Sequence, residues 1–178
     1  MFLLRMLTRK RAGTMDPLQV SMTGVRMGER VLQIGCHDKA LLAGLAAKVG
    51  LSGSTAVAAS DEGQARRAES IGRRVGALIE IKNIERGRAW PFEPSAFDMV
   101  VIDDTDDGFR AFEPPIEILR KGFNSVRAGG RIEVVTPIDS QHGKLDFVEL
   151  LTGAGCKPVR VLAEVSGLRF VEGLRPHS

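Results

Sequence analysis

Two clusters in the sequence have side-chain types and spacings that could do chemistry. The first is the run Gly35-Cys36-His37-Asp38, which directly follows the apolar residues 31–34. A glycine at the end of a buried strand lets the backbone approach a ligand closely, and a helix that starts beyond it offers free N–H groups. This combination predicts a binding loop.

The second cluster is acidic and follows the apolar residues 97–102. Its carboxylates could hold a divalent cation that orients an acceptor molecule, or they could form a solvated loop with one member touching a ligand. They are Asp103, Asp104, Asp106 and Asp107. We favour the solvated loop and predict no metal site.

Few side chains are placed to transfer a proton or to attack a substrate. His37 and His142 are candidate general bases, although a histidine beside a ligand loop more often lines the pocket. Cys36 stands near a helix start, where the pKa of a thiol can fall, but backbone lining is its favoured role. We therefore assign no catalytic residue.

The elements that must position these residues alternate between strands and helices. Short apolar runs predict strands at residues 31–34, 55–59, 78–81, 97–102 and 131–136, with a turn at 128–130 before the last of them. Apolar spacings of three and four predict helices at 38–49, 60–75, 112–126 and 144–154. Two alternating runs, 159–165 and 168–172, predict a closing hairpin. This order predicts an α/β, doubly wound and mostly parallel sheet with helices on both faces.

Composition and charge narrow the class of protein. The chain has 178 residues, which suits one domain, and its 43% hydrophobic and 26% charged residues are ordinary for a globular protein. The net charge is +3, but aromatic residues are only 5%, which argues against a nucleic-acid partner. Cys36 and Cys156 form no CxxC pair, so we expect reduced thiols and a cytoplasmic location. No apolar run approaches the roughly 18 residues of a membrane span.

The N-terminal residues differ from the rest of the chain. Residues 1–21 begin apolar and then turn basic, so we predict an extension, either frayed or forming an amphipathic helix on the body or on a membrane surface. Residues 22–178 are predicted to form the domain. Met15 and Met22 are alternative start residues.

Four segments together resemble class I S-adenosylmethionine-dependent methyltransferases. Residues 31–36 stand where that family carries its glycine-rich cofactor motif, and residues 90–101 resemble its approach to strand four. Residues 126–132 resemble the turn before strand five, and residues 150–155 with the hairpin resemble the C-terminal end. The resemblance runs from Met22 to the end and is nearest to small-molecule methyltransferases of the quinone-biosynthesis type. It implies a Rossmann-like sheet of order 3-2-1-4-5-7-6 with strand seven antiparallel, S-adenosylmethionine as cofactor and a small-molecule methyl acceptor.

The resemblance also implies which residues line the cofactor crevice, where the strand order reverses between strands one and four. They are Gln33, Gly35, Cys36, Asp38, Ala59, Asp61, Glu85 and Asp103. This sequence departs from the family pattern at four places. Gln33 replaces the acid that opens the motif, His37 and Lys39 replace glycines, and Ala58 replaces the carboxylate that holds the ribose. Either Asp61, Asp38 or Glu85 takes over the ribose contact, or the pocket binds the cofactor weakly.

Two functions therefore stay open. The first is methyl transfer to an unidentified small molecule, which Gly35 and the turns before strands four and five favour. The second is a degenerate, non-catalytic domain that binds a ligand or a partner, which His37, Lys39 and Ala58 favour. A nicotinamide-binding domain is disfavoured because the sequence has no G-x-G-x-x-G. The brevity of residues 137–144 predicts an acceptor side that is open or completed by a second subunit, as in a homodimer.

Overall fold

The computed structural model describes residues 17–111, 114–139 and 145–177. Seven strands lie within these ranges: β1 (Arg30–Ile34), β2 (Ser54–Ala59), β3 (Ile79–Asn83), β4 (Phe97–Asp103), β5 (Val126–Pro137), β6 (Val159–Val165) and β7 (Leu168–Leu174). The helices are α1 (Pro17–Met22), α2 (Lys39–Val49), α3 (Glu62–Val75), α4 (Pro115–Ser125) and α5 (Phe147–Ala154), with a short 3-10 helix at Phe109–Ala111.

The strands form one sheet in the order β3-β2-β1-β4-β5-β7-β6. The first five strands pair in parallel, whereas β7 is antiparallel to both β5 and β6. The strand order, the antiparallel β7 and the doubly wound α/β class are therefore confirmed. From β1 the sheet extends through β2 and β3 on one side and through β4 and β5 on the other, so the strand order reverses at β1. The C-terminal ends of β1 and β4 therefore flank the predicted crevice.

Helices cover both faces of the sheet because consecutive strand residues point to opposite sides. On one face, Ile34 and Ile102 pack with Leu119 of α4 and with α5. On the other face, Val31 and Val101 pack with residues of α1 and α2. In the described residues no helix has both the length and the apolarity that crossing a membrane requires.

Helix starts follow from capping residues that the sequence shows. The Asp38 side chain accepts hydrogen bonds from the N–H groups of Ala40 and Leu41, which fixes the start of α2. Asp61 caps α3 in the same way. Pro115 is the first residue of α4, where the missing N–H of proline costs no helical hydrogen bond.

Three boundaries differ from the sequence-based prediction by three residues or more. The strand predicted from residue 131 begins at Val126, because Phe97 pairs with Val126 and a register shift follows before Met99 pairs with Arg131. The glycines of the predicted turn thus lie within β5. Helix α4 begins at Pro115 rather than at 112, and α5 begins at Phe147 rather than at 144. Residues 112, 113 and 144 lie outside the described residues.

Helix α1 lies within the predicted N-terminal extension and packs against α2 and β6. Residues 1–16 of that extension lie outside the described residues. For those residues, the alternatives of a frayed segment and an amphipathic helix stay predictions.

The connection between β3 and β4 contains no helix in its thirteen-residue span from 84 to 96. Aromatic rings fill the layer instead: the Phe92 ring lies 5.6 Å from the rings of both Trp90 and Phe97 in edge-on arrangements. Trp90 Nε1 donates a hydrogen bond of 2.8 Å to Ser125 Oγ at the end of α4. The aromatic residues therefore tie this loop to the sheet and to α4.

Strand β6 is at one edge of the sheet. Its pairing with β7 shifts register between Val161 and Ala163, so one residue of β6 bulges out of the ladder.

Candidate functional site

The predicted crevice is bounded by the turn after β1. Gly35 has φ of +82°, a conformation that favours glycine, and its N–H donates to the Ala58 carbonyl oxygen of β2 at 3.0 Å. A Cβ on Gly35 would lie 3.1 Å from the Asp103 carbonyl oxygen at the end of β4. The glycine is thus required by the close approach of the β1 turn to β4, before any ligand is considered.

The Asp103 carboxylate binds the β1–α2 loop. Its Oδ2 accepts hydrogen bonds of 2.8 Å from the backbone N–H groups of both His37 and Asp38, and Gln33 Nε2 lies 3.4 Å away. Its Oδ1 accepts from the Thr105 hydroxyl at 2.6 Å and from the Thr105 N–H at 3.2 Å. The expectation that this loop offers free N–H groups is therefore wrong for these two amides, because a protein carboxylate already occupies them.

The other polar side chains of the loop are also engaged. Asp38 Oδ1 accepts from the N–H groups of Ala40 and Leu41, at 2.7 and 3.1 Å. Gln33 is fully buried, and its Nε2 donates to the Gly35 carbonyl oxygen at 3.0 Å. Gln33 Oε1 is buried with no hydrogen-bond partner among the described residues.

His37 bridges the two sides of the crevice. Its Nδ1 lies 2.7 Å from Asp106 Oδ2 in the loop after β4, and its Nε2 lies 3.3 Å from Gln64 Nε2 in the first turn of α3. Because an amide nitrogen only donates, Nε2 accepts there and Nδ1 carries the proton that is donated to Asp106. The imidazole thus connects the β1–α2, β2–α3 and β4–α4 regions.

Gln64 holds the histidine from the α3 side. Its side chain is 4% exposed, and its Oε1 accepts from the Ser60 N–H at 3.2 Å while its Nε2 donates to Ser60 Oγ at 2.7 Å. These two contacts fix the orientation of the amide, which in turn fixes the tautomer of His37.

Cys36 is buried and is not an activated nucleophile. Burial and, to a lesser degree, the nearby Asp103 carboxylate raise the pKa of its thiol to about 12. The possibility of a lowered thiol pKa is therefore wrong, whereas a backbone role is consistent with the hydrogen bond that Arg67 donates to the Cys36 carbonyl oxygen.

The residues that could replace the missing ribose carboxylate are occupied elsewhere. Ala59 is the last residue of β2 and is fully buried against an apolar cluster that includes Cys36. Asp61 accepts from the Gln64 N–H at 2.9 Å as the cap of α3. Glu85 is exposed and forms an ion pair of 2.8 Å with Arg88. Asp38 caps α2, so none of these carboxylates faces the crevice without a partner.

The acidic cluster after β4 has structural roles. Asp104 is 1% exposed and accepts from the Phe109 N–H and the Thr136 hydroxyl, both at 2.8 Å. Burial, with smaller contributions from the charges of Asp107 and Asp106, raises the pKa of its carboxyl to about 6. In the portion of the chain that the structure describes, no three His, Cys, Asp or Glu side chains are grouped so that they could hold a metal ion. His142 lies outside those residues.

Two open grooves lie beside the crevice. One, of about 100 Å³, runs between the loop at Glu85–Trp90 and the α4 residues Ile118 and Lys121. The other, of about 180 Å³, lies between Pro137, Phe147 and Arg169, at the start of the connection for which we predicted an open acceptor side. Neither lining includes a residue of the β1–α2 loop.

Comparison with known proteins finds similarity in structure but not in sequence. No protein-family profile and no curated protein matches this chain. A S-adenosylmethionine-dependent methyltransferase from Aquifex aeolicus superposes with a TM-score of 0.74 at 18% identity, covering 90% of this chain and 89% of its own. A methyltransferase from Pyrococcus furiosus superposes with a TM-score of 0.67 at 19% identity, covering 90% and 83%. A [4+2]-cyclase, SpnF, superposes with a TM-score of 0.67 at 12% identity, covering 90% and 79%.

This chain has the class I methyltransferase fold. The methyltransferase fold implies S-adenosylmethionine, and the structure tests whether the residues present suit it. The backbone does, because Gly35 at φ +82° leaves the turn after β1 open to close approach. The side chains do not, because His37 crosses the crevice to Asp106 and Gln64. The ribose carboxylate was expected at Ala58, but β2 ends one residue later, at Ala59, and neither alanine has a side chain that could accept a hydrogen bond from a ribose.

Two residues of the site were missed by sequence reasoning. Gln64 could have been recognised from the sequence. It lies four residues before Ala68, which in turn lies three residues before Ile71, so the helical spacing places Gln64 on the buried face of α3. Arg67 carried none, since nothing in its spacing indicates that it reaches the Cys36 carbonyl, 31 residues away in sequence.

Proposed function

We propose that this protein is a degenerate, non-catalytic domain of methyltransferase fold that binds a ligand or a partner rather than transferring methyl groups. The observation that carries the proposal is the bridge of His37 to Asp106 and Gln64, which lies across the crevice where the cofactor of this fold would rest. The fold itself does not decide the matter, because one architecture hosts many functions.

Opening the crevice would have an energetic cost that the chain does not offset. The His37–Asp106 contact would have to break, and the His37 and Asp38 amides would stay bound to Asp103. A ribose at Ala59 would also lack the charge-assisted hydrogen bond that a carboxylate supplies, a loss of about 1.5–3 kcal/mol or roughly 10- to 100-fold in affinity.

The second candidate function is S-adenosylmethionine-dependent methyl transfer to a small molecule. Its support is the structural likeness to methyltransferases over 90% of the chain. In this case His37, whose side chain is 23% exposed, would rotate away from Asp106 to admit the cofactor. The groove beside Pro137 would then face the acceptor, and it would either stay open or be completed by a second copy of the chain. For both candidates we propose a cytoplasmic location, from the two buried, unpaired cysteines.

Calorimetric titration with S-adenosylmethionine and with its demethylated product separates the two candidates. We expect no heat from the wild-type protein at millimolar ligand. His37→Gly restores a glycine of the family pattern, and Ala59→Asp adds a carboxylate at the last residue of β2. We expect this double variant to gain measurable binding. The variant His177→Gly, which removes a histidine remote from the crevice, is the matched control, and a thermal melt checks that each variant is folded.

A micromolar dissociation constant for the wild-type protein would overturn the non-catalytic proposal and would support the methyltransferase. In that case His37→Gly alone should tighten binding, because it removes the side chain that has to move.

A further inference from the structure

Three large apolar side chains are almost fully exposed at the end of the sheet where the parallel strands begin. Met27 is 78% exposed, Leu51 is 103% exposed and Leu78 is 98% exposed relative to reference values. Each lies just before a strand: Met27 before β1, Leu51 before β2 and Leu78 before β3. Single exposed apolar residues are ordinary on protein surfaces, but a cluster of the largest ones indicates a contact with something else.

The register of the sheet brings the three residues together. Arg30 of β1 pairs with Ser54 of β2, and Thr55 of β2 pairs with Ile79 of β3, so the segments that enter these parallel strands lie side by side. Neighbouring strands are about 4.8 Å apart. The Gly28 N–H also donates to the Val49 carbonyl oxygen at 2.9 Å, which joins the first two segments directly. We call this surface, which carries Met27, Leu51 and Leu78, the basal edge; it is the end of the sheet where the parallel strands begin, not an outer strand.

Cations surround the apolar residues of the basal edge. Arg26 precedes Met27, Lys48 is in the last turn of α2, and Arg73 and Arg74 are in the last turn of α3. All four are exposed. Within the described residues, Arg73 contacts Glu69 at 3.6 Å, and no ion pair holds Arg26, Lys48 or Arg74.

The nearby carboxylates do not neutralise these cations. Glu29 is bound by Arg131 through two hydrogen bonds, of 2.9 and 2.8 Å. Asp98 is contacted by both Arg30 and Arg127, at 3.3 and 2.7 Å. The acidic loop after β4 lies at the opposite end of the sheet, where the parallel strands finish.

We propose that the basal edge docks on an anionic lipid surface. Leu51, Leu78 and Met27 enter the headgroup region, and the cations around them pair with lipid phosphates. A nucleic acid would use the same cations but would gain little from three aliphatic side chains, since bases stack on aromatic rings. The proposal does not depend on the crevice, because the two features lie at opposite ends of the sheet.

The test is sedimentation of the full chain with lipid vesicles, made either of phosphatidylcholine alone or of phosphatidylcholine with phosphatidylglycerol. We expect binding to the second kind only, weakened by added salt. Leu51→Asp with Leu78→Asp should reduce the partition constant about tenfold or more. Lys48→Glu with Arg74→Glu should reduce it at least about 25-fold, since each cation near such a surface contributes roughly fivefold.

The matched control is Lys39→Glu with Arg66→Glu. It changes the net charge by the same amount on the same two helices, α2 and α3, but at their opposite ends. We expect it to bind vesicles like the wild-type protein. The substituted positions are exposed, and thermal melts confirm that every variant is folded.

Three outcomes would overturn the proposal. The first is that the wild-type chain binds neither kind of vesicle, and the second is that the control loses as much binding as the basal-edge variants. The third is that single-stranded RNA binds with an affinity that Leu51→Asp with Leu78→Asp leaves unchanged, which would assign the cations to a nucleic acid.

Discussion

Replacing Glu133 with methionine should stabilise the protein, and the gain should grow with pH. Glu133 lies on β5 between Val101 of β4 and Glu172 of β7, is fully buried, and neither of its carboxyl oxygens has a hydrogen-bond partner among the described residues. Burial and, to a lesser degree, the negative charge of Glu172 raise the pKa of Glu133 to about 9. Methionine has a similar shape and removes the ionisable group.

The size of the effect follows from proton linkage. Because the pKa in the folded state lies above that of the unfolded chain, the folded state holds one more proton between the two values, and stability falls as pH rises through this window. The slope is about 1.4 kcal/mol per pH unit, so the wild-type protein should lose up to about 3 kcal/mol relative to the variant between about pH 6 and about pH 8. Asp104, whose pKa is raised to about 6, contributes below this range and does so in both proteins.

Urea unfolding of both proteins across this pH range measures the difference directly. The control is Glu93→Met, which makes the same chemical change at an exposed loop position and should leave the slope as in the wild type. A stability difference between wild type and Glu133→Met that stays constant with pH would refute the assignment of a neutral, buried carboxyl at Glu133.

Three further changes test other parts of the structure. Gly35→Ala should lower the free energy of unfolding by about 2–4 kcal/mol in denaturant titrations. The control Gly87→Ala, at a similar positive φ but with open space around it, should lower it by only about 1–2 kcal/mol. Equal losses would contradict the close approach of the β1 turn to β4. Trp90→Phe keeps an aromatic ring at this position but loses the indole N–H that donates to Ser125 of α4. We expect the free energy of unfolding to fall by about 1 kcal/mol in thermal or urea unfolding, and no loss would show that this bond is unimportant. Cys36 and Cys156 are buried with pKa values raised to about 12, so a thiol reagent should label both only after unfolding, and rapid labelling of the native protein would contradict their burial.

The sheet was predictable because its signals are local. Residues 31–34 and 97–102 are apolar runs, each interrupted by a single polar residue, Gln33 and Asp98, and both are central strands buried on two faces. Asp38 and Asp61 precede helices at the cap position, so the starts of α2 and α3 could be predicted. The start of β5 could not, because it depends on a register shift against a strand about thirty residues earlier.

The site was less predictable because its contacts are distant in sequence. Asp103 was expected to lie there, but its hydrogen bonds join it to amides 65 and 66 residues away, which no local pattern reveals. His37 was recognised as a departure from a glycine motif and as a candidate general base. Its bridging role needs Gln64 and Asp106, which are distant from it in sequence and which no local pattern connects to it.

The bulge in β6 also affects whether copies of this protein can associate through their edge strands. An outer strand presents unpaired N–H and C=O groups that can recruit a strand from another molecule and so seed fibrous aggregates. In β6 the ladder is interrupted between Val161 and Ala163, and the charged side chains of Arg160 and Glu164 lie on either side of the interruption. An incoming strand would meet a kinked backbone flanked by charges, so this border of the sheet resists polymerisation even though Val161 is 46% exposed there.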